Sequence, residues 1–335
     1  MTMYVRADAA ETRYSNIFFL YPRVDAEIAC LPGCAGDAGP RYPGETFGDI
    51  EDGIASGHVE PHGTIDRLQA ITPRDDLLGC TLHRHEDPAG HDHYYEREMP
   101  NADVQPLFDE AARLGVGFCL GYAELTPDGH RYNTYVLVDK TGAIVGKYRK
   151  VHIPGHADDE PHRHFKHLER RYFEESPDGF GVVNAFGGIV GMAICNDRRW
   201  PETYRVLGLQ GVELVLIGYN TPLHYAPDPD QNPLQSFHNN LVMASGAYQN
   251  GTWVVGVAKG GIEEGVESLS HSQIIAPSGQ VVAQATVSGD VLISARCDLD
   301  LCRHYKETLF NFDVYRRPEA YRIITDQKGV EPPSG

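Results

Sequence analysis

No stretch of the 335-residue chain approaches the roughly 18 consecutive apolar residues that a membrane-spanning helix needs. The opening MTMYVRADAAETRY also lacks the basic-then-apolar build of a secretory leader. Both absences point to a cytoplasmic protein with no membrane partner. Positive charge is scarce: 29 Lys and Arg stand against 47 Asp and Glu, a formal charge of −18. Such a chain repels a phosphate backbone at long range, so nucleic acid is a poor candidate partner. Seven cysteines, Cys30, Cys34, Cys80, Cys119, Cys195, Cys297 and Cys302, are odd in number, scattered and without a CxxC pair. That argues against a disulfide framework and against a zinc site, and makes any special cysteine a reactive thiol. What is present, 41% hydrophobic and 23% charged residues, is the composition of a globular protein of one or two domains.

The first ninety residues differ in texture from the rest. Between Pro32 and Ile65 stand twelve Gly or Pro, too many for helical or strand periodicity to persist. Ile17 to Tyr21 reads as one short strand and Ile65 to Ala70 as a helical turn. The histidines of His83-Arg84-His85 and His91-Asp92-His93 read as a solvated loop, because no Cys or acidic partner sits at a metal-ligand spacing. We therefore divide the chain into an atypical Gly/Pro-rich region, 1–92, and one domain, 93–325.

Within that domain apolar runs alternate with amphipathic segments. Helices are expected over Pro106 to Leu114 (N-cap Asp103), Glu202 to Leu209 with Pro201 in the first turn, and Leu234 to Tyr248. Strands are expected at Val116–Ala123, Tyr132–Val138, Gly181–Ala185, Ile189–Ile194, Val212–Ile217 and Trp253–Ala258. Three more follow at Ser272–Ala276, Gln280–Ala285 and Val291–Cys297, and Asp139-Lys140-Thr141-Gly142 has the composition of a hairpin turn. Strands outnumber helices and buried runs mix with hairpins, which predicts an α/β protein with mixed sheets covered by helices.

Three segments put reactive or charged groups where this reading places strand ends. In Gly191-Met192-Ala193-Ile194-Cys195-Asn196-Asp197-Arg198-Arg199 an apolar strand feeds Cys195 into a strand-to-helix turn, where unpaired backbone N–H groups can receive an oxyanion. A nearby cation or helix N-terminus would favour its thiolate; the alternative is one more small buried hydrophobe. In Lys147-Tyr148-Arg149-Lys150 strand alternation lets Lys150 point inward while Lys147 and Arg149 stay solvated. Glu169, in His167-Leu168-Glu169-Arg170-Arg171, reads by itself as a surface ion-pair partner.

Taken together, Lys150 in GKYRKVHIPGH, Glu169 in HLERRYFE, Cys195 in AICNDRRWPETYR and the later GYNTP resemble the nitrilase, or carbon-nitrogen hydrolase, superfamily. More narrowly they resemble its N-carbamoyl-D-amino acid amidohydrolase branch, with YYEREMP, LGYAEL, SFHNN, AYQNG and LFNF extending the likeness over about residues 93–321. The resemblance implies a nitrilase-like αββα sandwich of two mixed sheets covered by helices, here with atypical N-terminal elements. It also implies a homo-oligomer, dimer or tetramer, with no metal and no organic cofactor, acting on a small N-carbamoyl amino acid. Position by position it implies a nucleophile at Cys195, an oxyanion-stabilising Lys150, and a Glu169 that positions the lysine and the general base. Arg198 and Arg199 match the pair that binds the substrate carboxylate, which suits the guanidinium fork. Asn196, Asn220 and Thr221 match polar groups lining the pocket. His152, His167 and His238 match supporting histidines. Ureidopropionase-like or aliphatic amidase activity, or a catalytically silent homologue, are the alternatives.

One departure stands out. The family's general-base glutamate ends a Phe-Pro-Glu strand, and counting back from YYEREMP places it near Thr72 to Asp76, where no glutamate occurs. Glu60, Asp75 and Asp76 are possible substitutes. Residues 1 to 65 do not show the alternation of an opening strand and a long amphipathic helix either, and the first eighty or so read as foreign to the fold through a shifted reading frame or a misassigned gene start, or else as a divergent N-terminus.

Overall fold

The computed structural model describes residues 2–7 and 14–20 by their backbone, residue 92, and 95–333 apart from 158–166, 226, 264–265 and 287–290. Fourteen strands are seen among these residues: β1 Thr2–Ala7, β2 Tyr14–Leu20, β3 Gly117–Leu125, β4 Arg131–Val138, β5 Ile144–Arg149, β6 Val182–Ala185, β7 Gly188–Ile194, β8 Leu214–Tyr219, β9 Trp253–Ala258, the two-residue β10 Ile262–Glu263 and β11 Val266–Glu267, β12 Gln273–Ile275, β13 Val281–Gln284 and β14 Ile293–Asp298. The helices that matter for the site are α1 Gln105–Leu114, the single turn α2 Glu169–Tyr172, α3 Pro201–Leu209, α4 Gln235–Asn250 and α5 Asp300–Glu307.

Two six-stranded sheets face each other. The first runs β14-β2-β1-β3-β4-β5 and the second β13-β12-β9-β8-β7-β6. In the second sheet β7, β8 and β9 are parallel and the flanking pairs antiparallel. The first is antiparallel throughout, so one sheet is mixed where two were expected. The expected turn at 139–142 explains part of this: it closes the β4–β5 hairpin with Gly142 at φ 80°. β2 contains most of the short strand expected at Ile17 to Tyr21, and β1 is a strand the sequence reading did not anticipate. β1 and β2 pair antiparallel with each other and bridge β3 and β14.

The layers follow from strand alternation. In β8 Leu214 and Leu216 point into the core between the sheets while Val215 and Ile217 meet the helices, so an unbroken apolar run is buried on both faces. In β4 Tyr135 and Leu137 face the second sheet, and Val136 and Val138 pack on Leu107, Phe108 and Ala111 of α1. Tyr204 and Leu207 of α3, with Met243 and Ala247 of α4, cover the outer face of the second sheet. A Cβ at Gly246 would lie 2.6 Å from the Tyr204 ring, so glycine permits the close approach of α3 and α4. The order is helix, sheet, sheet, helix, the αββα sandwich expected. α1 is capped otherwise than expected: its N-cap is Val104, and Asn101 Oδ1 accepts from the N–H groups of Asp103 and Val104.

Candidate active site

β7 and β8 are parallel neighbours, and the chain leaves both at the same end of the sheet. Cys195 follows the last residue of β7, and Asn220 and Thr221 follow β8. Cys195 opens a 3-10 turn, Cys195–Arg199, at φ 46°. A non-glycine residue in that region costs roughly 1–3 kcal/mol and persists only when its surroundings hold it. Asp197 does the holding. It is fully buried, and its carboxylate accepts from the Ile194 N–H at 2.9 Å and the Tyr148 hydroxyl at 2.7 Å on one oxygen. On the other it accepts from the His152 N–H at 3.0 Å and meets His152 Nδ1 at 2.9 Å. Burial and the Asp197 carboxylate hold the Tyr148 hydroxyl well above its ordinary value, so it remains a donor.

Lys150 follows β5, its N–H donating to the Asn133 carbonyl of β4 at 2.9 Å. The expected alternation is realised: Tyr148 and Lys150 are buried and Lys147 is exposed. Lys147 and Arg149 are not simply solvated, however. Both pair with Glu124 of β3, Arg149 through Nε at 2.7 Å and Nη2 at 2.9 Å. Lys150 Nζ donates to Glu169 Oε1, the oxygen that also accepts from Asn133 Nδ2 at 3.1 Å. His167 Nε2 lies 3.4 Å from Glu169 Oε2. Burial disfavours the ammonium, yet the Glu169 carboxylate, with Cys195 and Asp197 beyond it, outweighs burial and holds Lys150 above the usual lysine value. Burial likewise disfavours the Glu169 anion, but Lys150 and His167 bring its carboxyl down to about 2. Both partners are charged at neutral pH.

These groups share one cavity of about 560 Å³, lined by Cys195, Lys150, Glu169, Asn196, Arg199, Asn220, Thr221, His167 and His238 among the residues expected. Thr221 Oγ1 lies 3.6 Å from Cys195 Sγ, and Arg199 Nη2 donates to Gln235 Oε1 at 3.1 Å. Two expected residues do not line it. His152 lies behind the Cys195 turn on Asp197, its ring stacked on Trp200, and Arg198 is 1% exposed and enclosed by protein groups. Sequence reasoning missed Asp197, Tyr148 and Asn133, each a polar residue whose importance lies in burial that no local pattern announces. Glu60, Asp75, Asp76 and the histidines at 83, 85, 91 and 93 lie outside the described residues. Among the described residues no group of three or more His, Cys, Asp or Glu is placed to hold a metal ion, and no helix is long and apolar enough to cross a membrane.

The arrangement offers a thiol, a buried ammonium fixed by a carboxylate, and a cavity with a guanidinium on its wall, a combination suited to attack on a carbonyl-type carbon. Comparison with known proteins agrees. Residues 78–307 match the model of the family described as carbon-nitrogen hydrolase. The chain is 30% identical over 243 residues, 70% of its length and 76% of the other's, to an N-carbamoylputrescine amidase of Arabidopsis thaliana. It is 27% identical over 216 residues, 64% of this chain and 71% of the other, to a probable nitrilase of Schizosaccharomyces pombe. A solved carbon-nitrogen hydrolase from Helicobacter pylori G27 superposes with a TM-score of 0.62 at 22% identity, over 73% of this chain and 82% of that one.

Proposed function

The chain belongs to the carbon-nitrogen hydrolase family, and we propose that it hydrolyses an N-carbamoyl-D-amino acid to the D-amino acid, ammonia and carbon dioxide. The observation that carries this reading is the meeting of Cys195, the Lys150–Glu169 pair and Arg199 on one cavity. A ureido substrate needs a nucleophile and a cation for the oxyanion. An amino acid adds a carboxylate, and a guanidinium is its natural partner. The likeness to an N-carbamoylputrescine amidase supports the carbamoyl group; the choice of D over L rests on the sequence resemblance.

Cys195 Sγ attacks the ureido carbon, while Lys150 Nζ and the Asn196 N–H stabilise the oxyanion. The bond to the terminal nitrogen breaks, and that nitrogen leaves as ammonia with one proton taken up from solvent, equal to the one the thiol gave up. Water then displaces the sulfur, giving the thiol back and releasing an N-carboxy amino acid that loses carbon dioxide. A general base for these steps is worth roughly 100-fold to 10,000-fold in rate. Glu169, brought down to about 2 by Lys150 and His167, holds the lysine and is a weak acceptor; Glu60, Asp75 and Asp76 remain the proposed substitutes for the base.

A cytoplasmic homo-oligomer completes the proposal, a second copy covering the exposed Phe237 and Leu241 of α4 and Val206 and Leu209 of α3. Sedimentation should give a dimer or tetramer, and a monomer at micromolar concentration would contradict it. The functional test is ammonia release from an N-carbamoyl-D-amino acid beside its L enantiomer and N-carbamoylputrescine. Preference for the D form supports the reading, and preference for either of the others overturns it.

A further inference from the structure

Arg198 is a buried cation surrounded by neutral groups. Its Nη1 donates to the Cys195 carbonyl at 2.6 Å, Nη2 to Thr221 Oγ1 at 2.9 Å and Nε to Asn239 Oδ1 at 2.8 Å, and the Tyr219 ring centroid lies 4.1 Å from the guanidinium carbon. No carboxylate among the described residues pairs with it. The neighbouring Asp197 has both oxygens taken by Tyr148, Ile194 and His152. A charge withdrawn from water is ordinarily paired. Burial keeps the nearby Tyr219 and Tyr204 phenols neutral, and the remaining anion-forming group against this guanidinium among the described residues is Cys195, whose Sγ lies 3.9 Å from Nη1. Of the other cations near the sulfur, Lys150 is already neutralised by Glu169, and Arg199 donates to Gln235 and faces the cavity. Thr221 Oγ1 accepts from Arg198, which leaves its own proton free to point at Sγ, 3.6 Å away.

We propose that Arg198 is the counter-charge of the Cys195 thiolate and so generates the nucleophile, instead of binding the substrate carboxylate as the resemblance implied. The thiol proton goes to solvent as the thiolate forms, and Arg198 keeps its own protons throughout. Carboxylate binding then falls to Arg199, the member of the pair that lines the cavity. The inference rests on Cys195 being the nucleophile of the proposed function.

The test is the rate of Cys195 alkylation by iodoacetamide, followed by peptide mass mapping at pH 7 and pH 10, in the wild-type chain and in Arg198→Gln and Arg198→Lys. Gln keeps donors and removes the charge; Lys keeps the charge and removes the fork. Arg198→Gln should react about 10-fold to 100-fold more slowly at pH 7 and within about threefold of wild type at pH 10, where solvent ionises the thiol unaided. Arg198→Lys should stay within about threefold at both values, with KM for the carbamoyl substrate unchanged, and it carries the test if the Gln variant does not fold. Equal loss at both pH values would show a structural role only, and wild-type reactivity of Arg198→Gln at pH 7, or a KM rise of tenfold or more in Arg198→Lys, would likewise overturn the proposal. Wild-type Cys195 reacting no faster than the buried Cys119, Cys297 and Cys302 would overturn the nucleophile reading itself.

Discussion

Replacing Asp197 by Asn tests the support of the Cys195 turn with a change of one atom. The carboxylate is fully buried, with the Tyr148 hydroxyl and Ile194 N–H on one oxygen and two His152 nitrogens on the other. An Asn side chain has one oxygen and one NH2, so whichever way it turns, one pair of neighbours loses its acceptor and faces a donor. Each buried donor left without a partner costs roughly 1–3 kcal/mol. Rotation of the Tyr148 hydroxyl recovers part of that, which sets the expected loss at about 3 kcal/mol, a large fraction of the roughly 5–15 kcal/mol that holds a domain folded. Urea unfolding of both proteins at pH 7, analysed by linear extrapolation, measures it. The consequence for chemistry follows from the φ of 46° at Cys195. With Ile194 no longer anchored the turn relaxes, and Cys195 alkylation should fall at pH 7 and pH 10 alike. A loss below 1 kcal/mol with unchanged alkylation would refute the reasoning, because it would mean that the turn holds without its buried acceptor.

Other perturbations separate the remaining roles. Lys150→Met removes the cation and strands Glu169; kcat should fall by about 100-fold to 1,000-fold, and a fall under tenfold would contradict the oxyanion assignment. Arg199→Gln should raise KM for an N-carbamoyl amino acid about 10-fold to 100-fold with kcat little changed, and leave N-carbamoylputrescine unaffected; equal effects on the two substrates would count against carboxylate binding there. Stability against pH probes Glu124. Burial works against its anion, but Arg149, Lys147 and Thr134 bring its carboxyl down to about 2 from 4.5. Its contribution, roughly 3 kcal/mol, is present above the ordinary carboxylate range and lost as pH falls towards 2. Wild type and Glu124→Gln should therefore differ at pH 7 and converge near pH 2, whereas a constant gap would contradict the account.

Much of the architecture was legible because burial on both faces writes itself into local sequence. Val212 to Ile217 reads as a strand from the unbroken apolar run Leu214 to Ile217, and Pro201 opens α3 where the pattern says it should. Of β1 and β2 only the apolar end of β2 was legible: TMYVRA and YSNIFFL are short and polar in part, and they earn their place by pairing with β3 and with β14, almost three hundred residues away. At the site, alternation correctly turned Lys150 inward. No spacing rule, however, could join residues 150, 169 and 195 on one cavity wall; the family likeness suggested it and the sheet geometry does it. The burial of Asp197 and Arg198 escaped for one physical reason. Charged residues default to the surface, and NDRR reads as a solvated turn until strand ends and α4 close around it.

The central claim is that Cys195 forms a covalent bond to the carbon of a cleaved C–N bond in a cavity that also holds Lys150 and Glu169. The most direct measurement is acid quenching during turnover of an N-carbamoyl-D-amino acid, with peptide mapping by mass spectrometry and ammonia counted in parallel. The account predicts an adduct that leaves with mild base, confined to the peptide bearing Cys195 and absent in Cys195→Ala, with ammonia released no later than the adduct appears. Ammonia release that persists in Cys195→Ala would contradict it.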